Sequence, residues 1–362
     1  MDEFWVNKKV LLTGHTGFKG GWMSLWLQQL GAKVVGFSLE PPTNPSLFEV
    51  ANVADGMESV VGDIRHYNQL EKVISEFQPE IVIHMAAQAL VRNSYDEPLQ
   101  TYATNVMGTV NLLEVIRKLG GVKVFLNITS DKCYENKEWV WGYREGEPLG
   151  GRDPYSNSKA CSELVTSAYR DSFFAGGVRG ENRVAVATAR AGNVIGGGDW
   201  AKDRLVPDIM KAIVEGRPVE IRNPASIRPW QHVLDPLAGY MTLIRKLWTD
   251  GEGFAGAWNF GPKEDNARPV SWIVERMIKL WGQGASWKMD RGKHAHEARY
   301  LKLDCSKSKA DLGYSPQLTL AASLDWVVEW LQAYQNGSNM RQFTLGQISS
   351  YESLSNQSQE SV

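Results

Sequence analysis

Apolar residues along this chain come in two alternating rhythms: short continuous runs, and longer stretches spaced three or four apart. Val10-Leu11-Leu12 is the first run and ends in Thr13-Gly14. From Gly17 the spacing changes, and Trp22, Leu25, Trp26 and Leu30 recur at a helical interval. Lys33 to Phe37 predicts a second strand, followed by Ile81-Val82-Ile83, Val124 to Ile128, and Val184 to Ala189. Between these runs, Thr101 to Leu119 and Tyr155 to Phe174 predict long helices. Strands alternating with helices predict an α/β fold, a Rossmann-like doubly wound parallel sheet. Right-handed crossovers then gather the strand carboxyl ends along one edge, where ligands bind.

The rhythm breaks after about Asn193. Gly196-Gly197-Gly198-Asp199-Trp200 predicts a loop, and short elements come after it without regular alternation. We read residues 1–193 as the main domain, with a segment around 225–262 returning to it. Residues 194–335 read mainly as a smaller C-terminal substrate lobe. Residues 336–362, rich in Ser, Gln and Asn, read as a polar tail with a mobile end, within which Phe343 to Leu354 is a candidate short helix.

Composition narrows the class. The chain has 362 residues, 43% hydrophobic and 22% charged, with net charge -2. That balance gives no reason to expect nucleic acid or an anionic membrane surface as partner. The N-terminus, Met-Asp-Glu-Phe-Trp, lacks the order of a signal peptide, and no apolar run approaches a membrane span. A cytoplasmic protein is expected. Cys133, Cys161 and Cys305 are widely spaced without a CxxC pair, so neither a disulfide framework nor a metal site is expected. His294 and His296, two apart, read as a solvated loop rather than ligands.

The candidate chemistry lies at the strand ends. Gly14-His-Thr16-Gly17-Phe18-Lys-Gly20 joins a strand to a helix, the place for a tight turn against a pyrophosphate. Asp63-Ile64 comes after the apolar pair Val60-Val61 and suits an adenine edge or a helix N-cap at Asp63. Ala86-Ala87-Gln88 comes after the third run, and small residues there allow close backbone approach. Asn105, polar within a helical pattern, suits either a bond toward the site or the surface. At the end of the second strand, where an acid usually holds the adenosine ribose, stands Ser38, with Glu40 two further on and no Arg in the turn. NAD is expected rather than NADP.

Two segments carry the reaction. Ser130-Asp131-Lys132 lies directly after the apolar run ending at Ile128, and Tyr155 and Lys159 stand four apart on one helix face. An ammonium beside a phenol favours the phenolate, a base for an alcohol losing hydride. An alcohol dehydrogenase has no need of the extra Asp and Lys, which suggest an elimination inside a redox cycle. The alternative for that adjacent pair is a simple ion pair.

These residues resemble the extended short-chain dehydrogenase/reductase family, over roughly residues 5 to 335. The matched features are Gly14-xx-Gly17-xx-Gly20, Asp63-Ile64, Ala86-Ala87-Gln88, Tyr155-xxx-Lys159 and Ala189-Arg190-Ala191-Gly192-Asn193-Val194. Within it the chain is most similar to the sugar-nucleotide 4,6-dehydratases, in the branch acting on CDP-glucose, through residues 130–136, 38–43 and Arg228-Pro-Trp-Gln-His-Val. Sister dehydratases carry Glu where Lys132 stands.

The resemblance implies NAD as cofactor, held by Gly14, Thr16, Gly17, Phe18, Gly20, Ser38, Asp63, Ile64, Ala86, Ala87, Gln88, Asn105, Tyr155 and Lys159. It implies Ser130, Asp131, Lys132, Tyr155 and Lys159 as catalytic residues, and no metal. Ser94, Asn193, Arg204, Arg222, Arg228, His232 and Arg299 are the implied contacts of a nucleotide sugar, CDP-glucose, on the way to a deoxysugar of a bacterial surface polysaccharide. For His232 and Trp230, packing is the competing role. The two long helices resemble those of a four-helix interface, with Leu112, Val115, Ala160, Leu164 and Ala168 outward, and imply a homodimer or homotetramer. Packing within one chain is the other reading of these five. Two rivals stay open: a sugar-nucleotide 4-epimerase and a non-catalytic NAD-sensing regulator.

Overall fold

The computed structural model describes residues 3–175, 183–282, 284–290, 292 and 301–360. Its frame is built from β1 (Lys9–Thr13), α1 (Phe18–Gln29), β2 (Lys33–Ser38), α2 (Leu47–Val50), β3 (Glu58–Val61), α3 (Tyr67–Phe77) and β4 (Ile81–His84). Then come α4 (Val91–Asp96), α5 (Pro98–Tyr102), α6 (Gly108–Leu119), β5 (Val124–Ile128), α7 (Pro154–Tyr169) and β6 (Ala185–Arg190). Beyond β6 lie β7 (Val194–Ile195), α8 (Leu205–Val214), β8 (Val219–Ile221), β9 (Ile227–Pro229), β10 (Gln231–His232), α9 (Leu234–Asp250) and β11 (Gly256–Asn259). The chain ends through β12 (Ala267–Pro269), α10 (Val270–Trp281), β13 (Trp287–Met289), α11 (Ser306–Leu312), α12 (Leu320–Gln335) and α13 (Met340–Glu360).

Seven strands pair in parallel in the order β11-β6-β5-β4-β1-β2-β3. The expected doubly wound sheet is therefore borne out. Its strands are continuous apolar runs because helices cover both faces. Along β1, Val10 and Leu12 enter one core with Trp22 and Trp258, while Leu11 enters the other with Phe37, Val82 and Phe125. Alternate side chains of a strand point to opposite faces, so a run without polar gaps is buried on both.

β3 is not marked in the sequence by an apolar run. Its residues Glu58-Ser59-Val60-Val61 are largely exposed at the sheet edge, which removes the need for one. The helix expected from Thr101 starts at Pro98 and reaches Leu119 through a wider turn at Ala103–Met107. α7 starts where Asp153 accepts the Ser156 N–H, with Pro154 in the first turn.

Beyond β6 a separate buried cluster gathers Ile209, Ile213, Ile221, Ile273, Met277 and Leu324. The candidate short helix from Phe343 to Leu354 is borne out as the middle of a longer one. That helix, α13, packs on α1 and α12, buries Ile348 and Tyr351, and accepts the Trp26 indole N–H on Glu352 Oε1 at 2.8 Å. Its polarity misleads because only one face is buried. No described helix is long and apolar enough to cross a membrane.

Candidate active site

The glycine-rich turn lies at the carboxyl end of β1. Gly14 has φ +78° and touches the backbone after β4: a Cβ there would meet Ala86 N at 2.7 Å. A Cβ on Gly20 would overlap the Gly14 carbonyl. Gly17 caps α1 in an extended conformation and makes no side-chain bond, so the first-turn amides of α1 face outward from a bare backbone. This cradle fits a dinucleotide pyrophosphate. Thr16 Oγ1 and Ser38 Oγ lie 2.8 Å apart and join the turn to the end of β2. The ring of Phe18 lies against Gly196.

Asp63 does not cap α3; His66 holds that position. Its carboxylate takes the Arg65 guanidinium in a two-pronged ion pair, which holds it below the usual carboxylate range. Ile64 is buried beneath Gly108. Ala86 and Ala87 are half-buried behind the glycine turn. Asn105 is buried, not at the surface. Its amide oxygen accepts Gln88 N–H at 2.8 Å, and its nitrogen donates to Gln88 O and Ser158 Oγ at 3.0 and 2.9 Å. It ties the post-β4 loop to α7.

The candidate reacting groups converge past β5. Ser130 Oγ donates to Asp131 Oδ1 at 3.0 Å and accepts the Lys132 N–H at 3.2 Å. Among the described residues Asp131 and Lys132 form no ion pair with each other, so that alternative is not the arrangement the site displays. Tyr155 and Lys159 are both buried on α7, and Lys159 Nζ donates to the carbonyl of Ile128 at 3.2 Å. That bond hangs the amine from the end of β5. Burial pushes the Tyr155 phenol up to about 12, against the opposing effect of Ser130. Burial pulls Lys159 down to about 8, against the opposing Glu163 carboxylate. Desolvation is the largest influence on this phenol.

Beneath Lys159 lies a charge that the sequence motifs do not single out. Glu163, one turn on, accepts two bonds from the Arg190 guanidinium at 2.9 and 2.8 Å, with both residues buried. Thr129 and Thr188 also donate to it. The i+4 spacing from Lys159 is a signal that points to it. Gly192 enters the sequence only as part of a motif; in space it faces Asp131.

The implied substrate contacts divide. Arg204 stands at the start of α8, paired with Asp199 at 2.9 Å, and its charge acts on Tyr155. Arg222 reaches Asp203 at 3.4 Å, and Asp203 also meets Arg92 at 2.7 Å. Arg228 lies on β9 opposite Arg268. Asn193 has φ 48°, and its carbonyl accepts the Gln231 N–H at 3.2 Å. Ser94 and His232 are corrections. Ser94 is wholly buried and donates to Val91 O at 2.6 Å. His232 is wholly buried between the rings of Trp22 and Trp326, and burial lowers it to about 3. Packing, its competing role, is the one the fold assigns. Arg299, with His294 and His296, lies outside the described residues.

Of the five side chains read as outward, Leu112, Val115 and Ala160 are buried within the chain. Leu164, 59% exposed, and Ala168 do face out. Leu99, 85% exposed, and Met107, 52% exposed, lie on the adjoining helices.

The family model described as GDP-mannose 4,6 dehydratase matches residues 11–325. A CDP-glucose 4,6-dehydratase of Salmonella typhimurium is 55% identical over 349 residues, 96% of this chain and 97% of that protein. A dTDP-glucose 4,6-dehydratase of Xanthomonas campestris is 25% identical, over 91% of this chain and 96% of that one. Among solved structures, a UDP-glucose 4-epimerase of Thermotoga maritima superposes with TM-score 0.77 at 23% identity, covering 90% and 99% of the two chains. A dTDP-glucose 4,6-dehydratase of Bacillus anthracis, solved with NAD, gives 0.73 at 24% identity, covering 91% and 98%. Sheet order and sequence agree: this chain belongs to the GDP-mannose 4,6-dehydratase family, among the sugar-nucleotide dehydratases of the extended short-chain dehydrogenase/reductase type.

Proposed function

We propose that this protein is an NAD-dependent CDP-glucose 4,6-dehydratase, which converts CDP-glucose to CDP-4-keto-6-deoxyglucose with loss of water. The observation that carries the reading is Asp131-Lys132 at the carboxyl end of β5, in the same crevice as Tyr155 and Lys159. The 55% identity to a CDP-glucose 4,6-dehydratase supports the nucleotide.

NAD, when bound, would supply the hydride acceptor for carbon 4 of the sugar and the hydride donor for carbon 6. The turn Gly14–Gly20, with Thr16, Phe18, Ser38, Asp63, Ile64 and residues 86–88, would hold it. Tyr155 takes the proton of the 4-hydroxyl, and Ser130 hydrogen-bonds that hydroxyl. Lys159 stabilises the phenolate. The ketone at carbon 4 acidifies the carbon-5 proton. Lys132 removes that proton, and Asp131 delivers one to the departing 6-hydroxyl. Lys132 then returns its proton to carbon 5.

Asn193, Arg204, Arg222 and Arg228 would hold the diphosphate and ribose, since a guanidinium fork matches phosphate oxygens. We propose a homodimer through the helices that carry the exposed Leu99, Met107 and Leu164; two such dimers would make a tetramer. A cytoplasmic location accords with a nucleotide-sugar substrate.

The test is incubation with NAD and, separately, CDP-glucose, dTDP-glucose, GDP-mannose and UDP-glucose. A product lighter by one water from CDP-glucose alone supports the reading. Water loss from another donor overturns the cytosine preference. Interconversion of two hexoses without water loss indicates an epimerase. Bound cofactor without turnover of any sugar indicates a regulator.

A further inference from the structure

Two residues of α7 bond to the same short stretch at the end of β5. Lys159 Nζ donates to the Ile128 carbonyl at 3.2 Å, and Thr129 Oγ1, one residue on, donates to Glu163 Oε1. Lys159 and Glu163 stand one turn apart on one helix face, with Tyr155 one turn before them. The Ile128 carbonyl and the Thr129 Cα belong to one planar peptide unit, so whatever fixes Thr129 also aims that carbonyl. On the sheet side the unit is held by the Thr129 N–H, which donates to Ala189 O on β6 at 2.9 Å. One bond leaves a pivot. The Thr129 hydroxyl supplies a second fixed point, on Glu163; Ala189 O, the other acceptor near it, is farther off at 3.4 Å.

Glu163 is a rigid post. Besides Thr129, it accepts Arg190 Nε and Nη2 at 2.9 and 2.8 Å and Thr188 Oγ1 at 2.7 Å, and Arg190 and Thr188 both belong to β6. All four residues are buried. A carboxylate whose two oxygens already take these donors cannot turn without losing one of them. It therefore locks α7, β5 and β6 together at one point. The Lys159 amine is the opposite case. It ends a flexible four-carbon stem, and among the described residues Ile128 O is its one hydrogen-bond partner. A stem with many rotamers is held in one of them only if its acceptor is well placed.

We propose that Thr129 is a positioning residue for the oxidation at carbon 4, acting through Lys159: its hydroxyl, clamped on Glu163, fixes the end of β5 against α7 so that the Ile128 carbonyl holds the amine in register with Tyr155. This rests on the dehydratase reading, in which Lys159 supports the phenolate. The competing role for Thr129 is to satisfy a buried carboxylate and nothing more. Thr188 separates the two roles. It makes the same kind of bond to the same carboxylate, but from β6, and the peptide that carries the Lys159 acceptor is on β5.

The test measures kcat and KM on CDP-glucose at saturating NAD, with urea midpoints, for wild type, Thr129→Val, Thr129→Ser and Thr188→Val. Valine keeps the shape of threonine and removes the hydroxyl. For Thr129→Val we expect kcat reduced about 10- to 10²-fold with KM little changed, because the amine is misplaced while substrate binding is not. Thr129→Ser keeps the hydroxyl and should restore most of the lost kcat. Thr188→Val should lower the urea midpoint about as much as Thr129→Val, with a clearly smaller loss of kcat. If Thr129→Val does not fold, Thr129→Ala takes its place with the same expectations. Wild-type kcat in the valine or alanine variant overturns the proposal. So do equal kcat losses at residues 129 and 188, which would make both hydroxyls partners of the carboxylate only, and so does a serine variant as slow as the valine one. A wild type that releases no water sinks the dehydratase reading itself, and the inference falls with it; an active wild type with any of the other three results sinks the inference alone.

Discussion

The carboxylate of Asp131 occupies the volume that a side chain on residue 192 would need: a Cβ on Gly192 would overlap Oδ2 and crowd Oδ1. The acid is thus held between Ser130 and a bare backbone just past β6. Gly192→Ala must push Asp131 off its bond to Ser130. We expect turnover to fall on the order of 10²-fold, with much smaller change in cofactor affinity. Kinetics with cofactor titration checks this; wild-type turnover would show that Asp131 need not be held there.

Tyr155 and Lys159 set the pH response. The proposed mechanism needs the phenol deprotonated and the lysine protonated, so their limbs oppose each other. With Lys159 near 8 in the free protein, kcat/KM should decline above about pH 8 as the ammonium is lost. Lys159→Arg, where active, should move that descending limb upward. Tyr155→Phe should lose about 10²- to 10⁴-fold at all pH values. A wild-type profile still rising well above that pH would remove the ammonium from the mechanism.

Arg190 and Glu163 form a buried pair, each 3% exposed. Arg190→Met leaves the carboxylate without its countercharge, at a cost of about 3–5 kcal/mol. Adding Glu163→Gln should recover part of that loss. Urea unfolding of the two variants and the parent measures it; equal stability of single and double variants would contradict the coupling.

Asp235 on α9 makes stability depend on pH. Its Oδ1 accepts Gln317 N–H and Tyr351 O–H, each at 2.8 Å, while Oδ2 has no partner among the described residues. Burial raises it from 3.8 to about 6. The folded chain therefore holds this proton more tightly than the unfolded one. The stabilisation is complete below pH 3.8 and lost as pH rises through about 6. Asp235→Asn keeps an acceptor and removes the buried charge, so at neutral pH it should stabilise by about 1–3 kcal/mol. Urea midpoints measured below and above pH 6 should show the advantage of the variant growing with pH. A constant gap would argue against titration of this carboxyl.

Neighbours in sequence made much of the site legible. Val124 to Ile128 is buried at every position because it lies mid-sheet, and residues just beyond a mid-sheet strand face the ligand edge. Tyr155 and Lys159 share a face because four residues make about one helical turn. The same reasoning failed where partners come from afar. His232 looks like a ligand in a polar motif, yet Trp22 and Trp326 enclose it from α1 and α12. Leu112 and Val115 fit an outer helix face in one dimension, but α3 and the sheet cover them.

By itself, then, the sequence determined the alternation of the main strands and helices, the bare-backbone turn at Gly14, and the choice of candidate reacting groups. Each depends on residues within one or two turns of each other. The tertiary structure alone decided their surroundings: burial that raises a phenol to about 12 and lowers the Lys159 amine to about 8, and a glycine from one strand end making room for an acid from another. Desolvation and close approach are sums over neighbours distant in the chain, and such sums exist only once the sheet has brought its strand ends together.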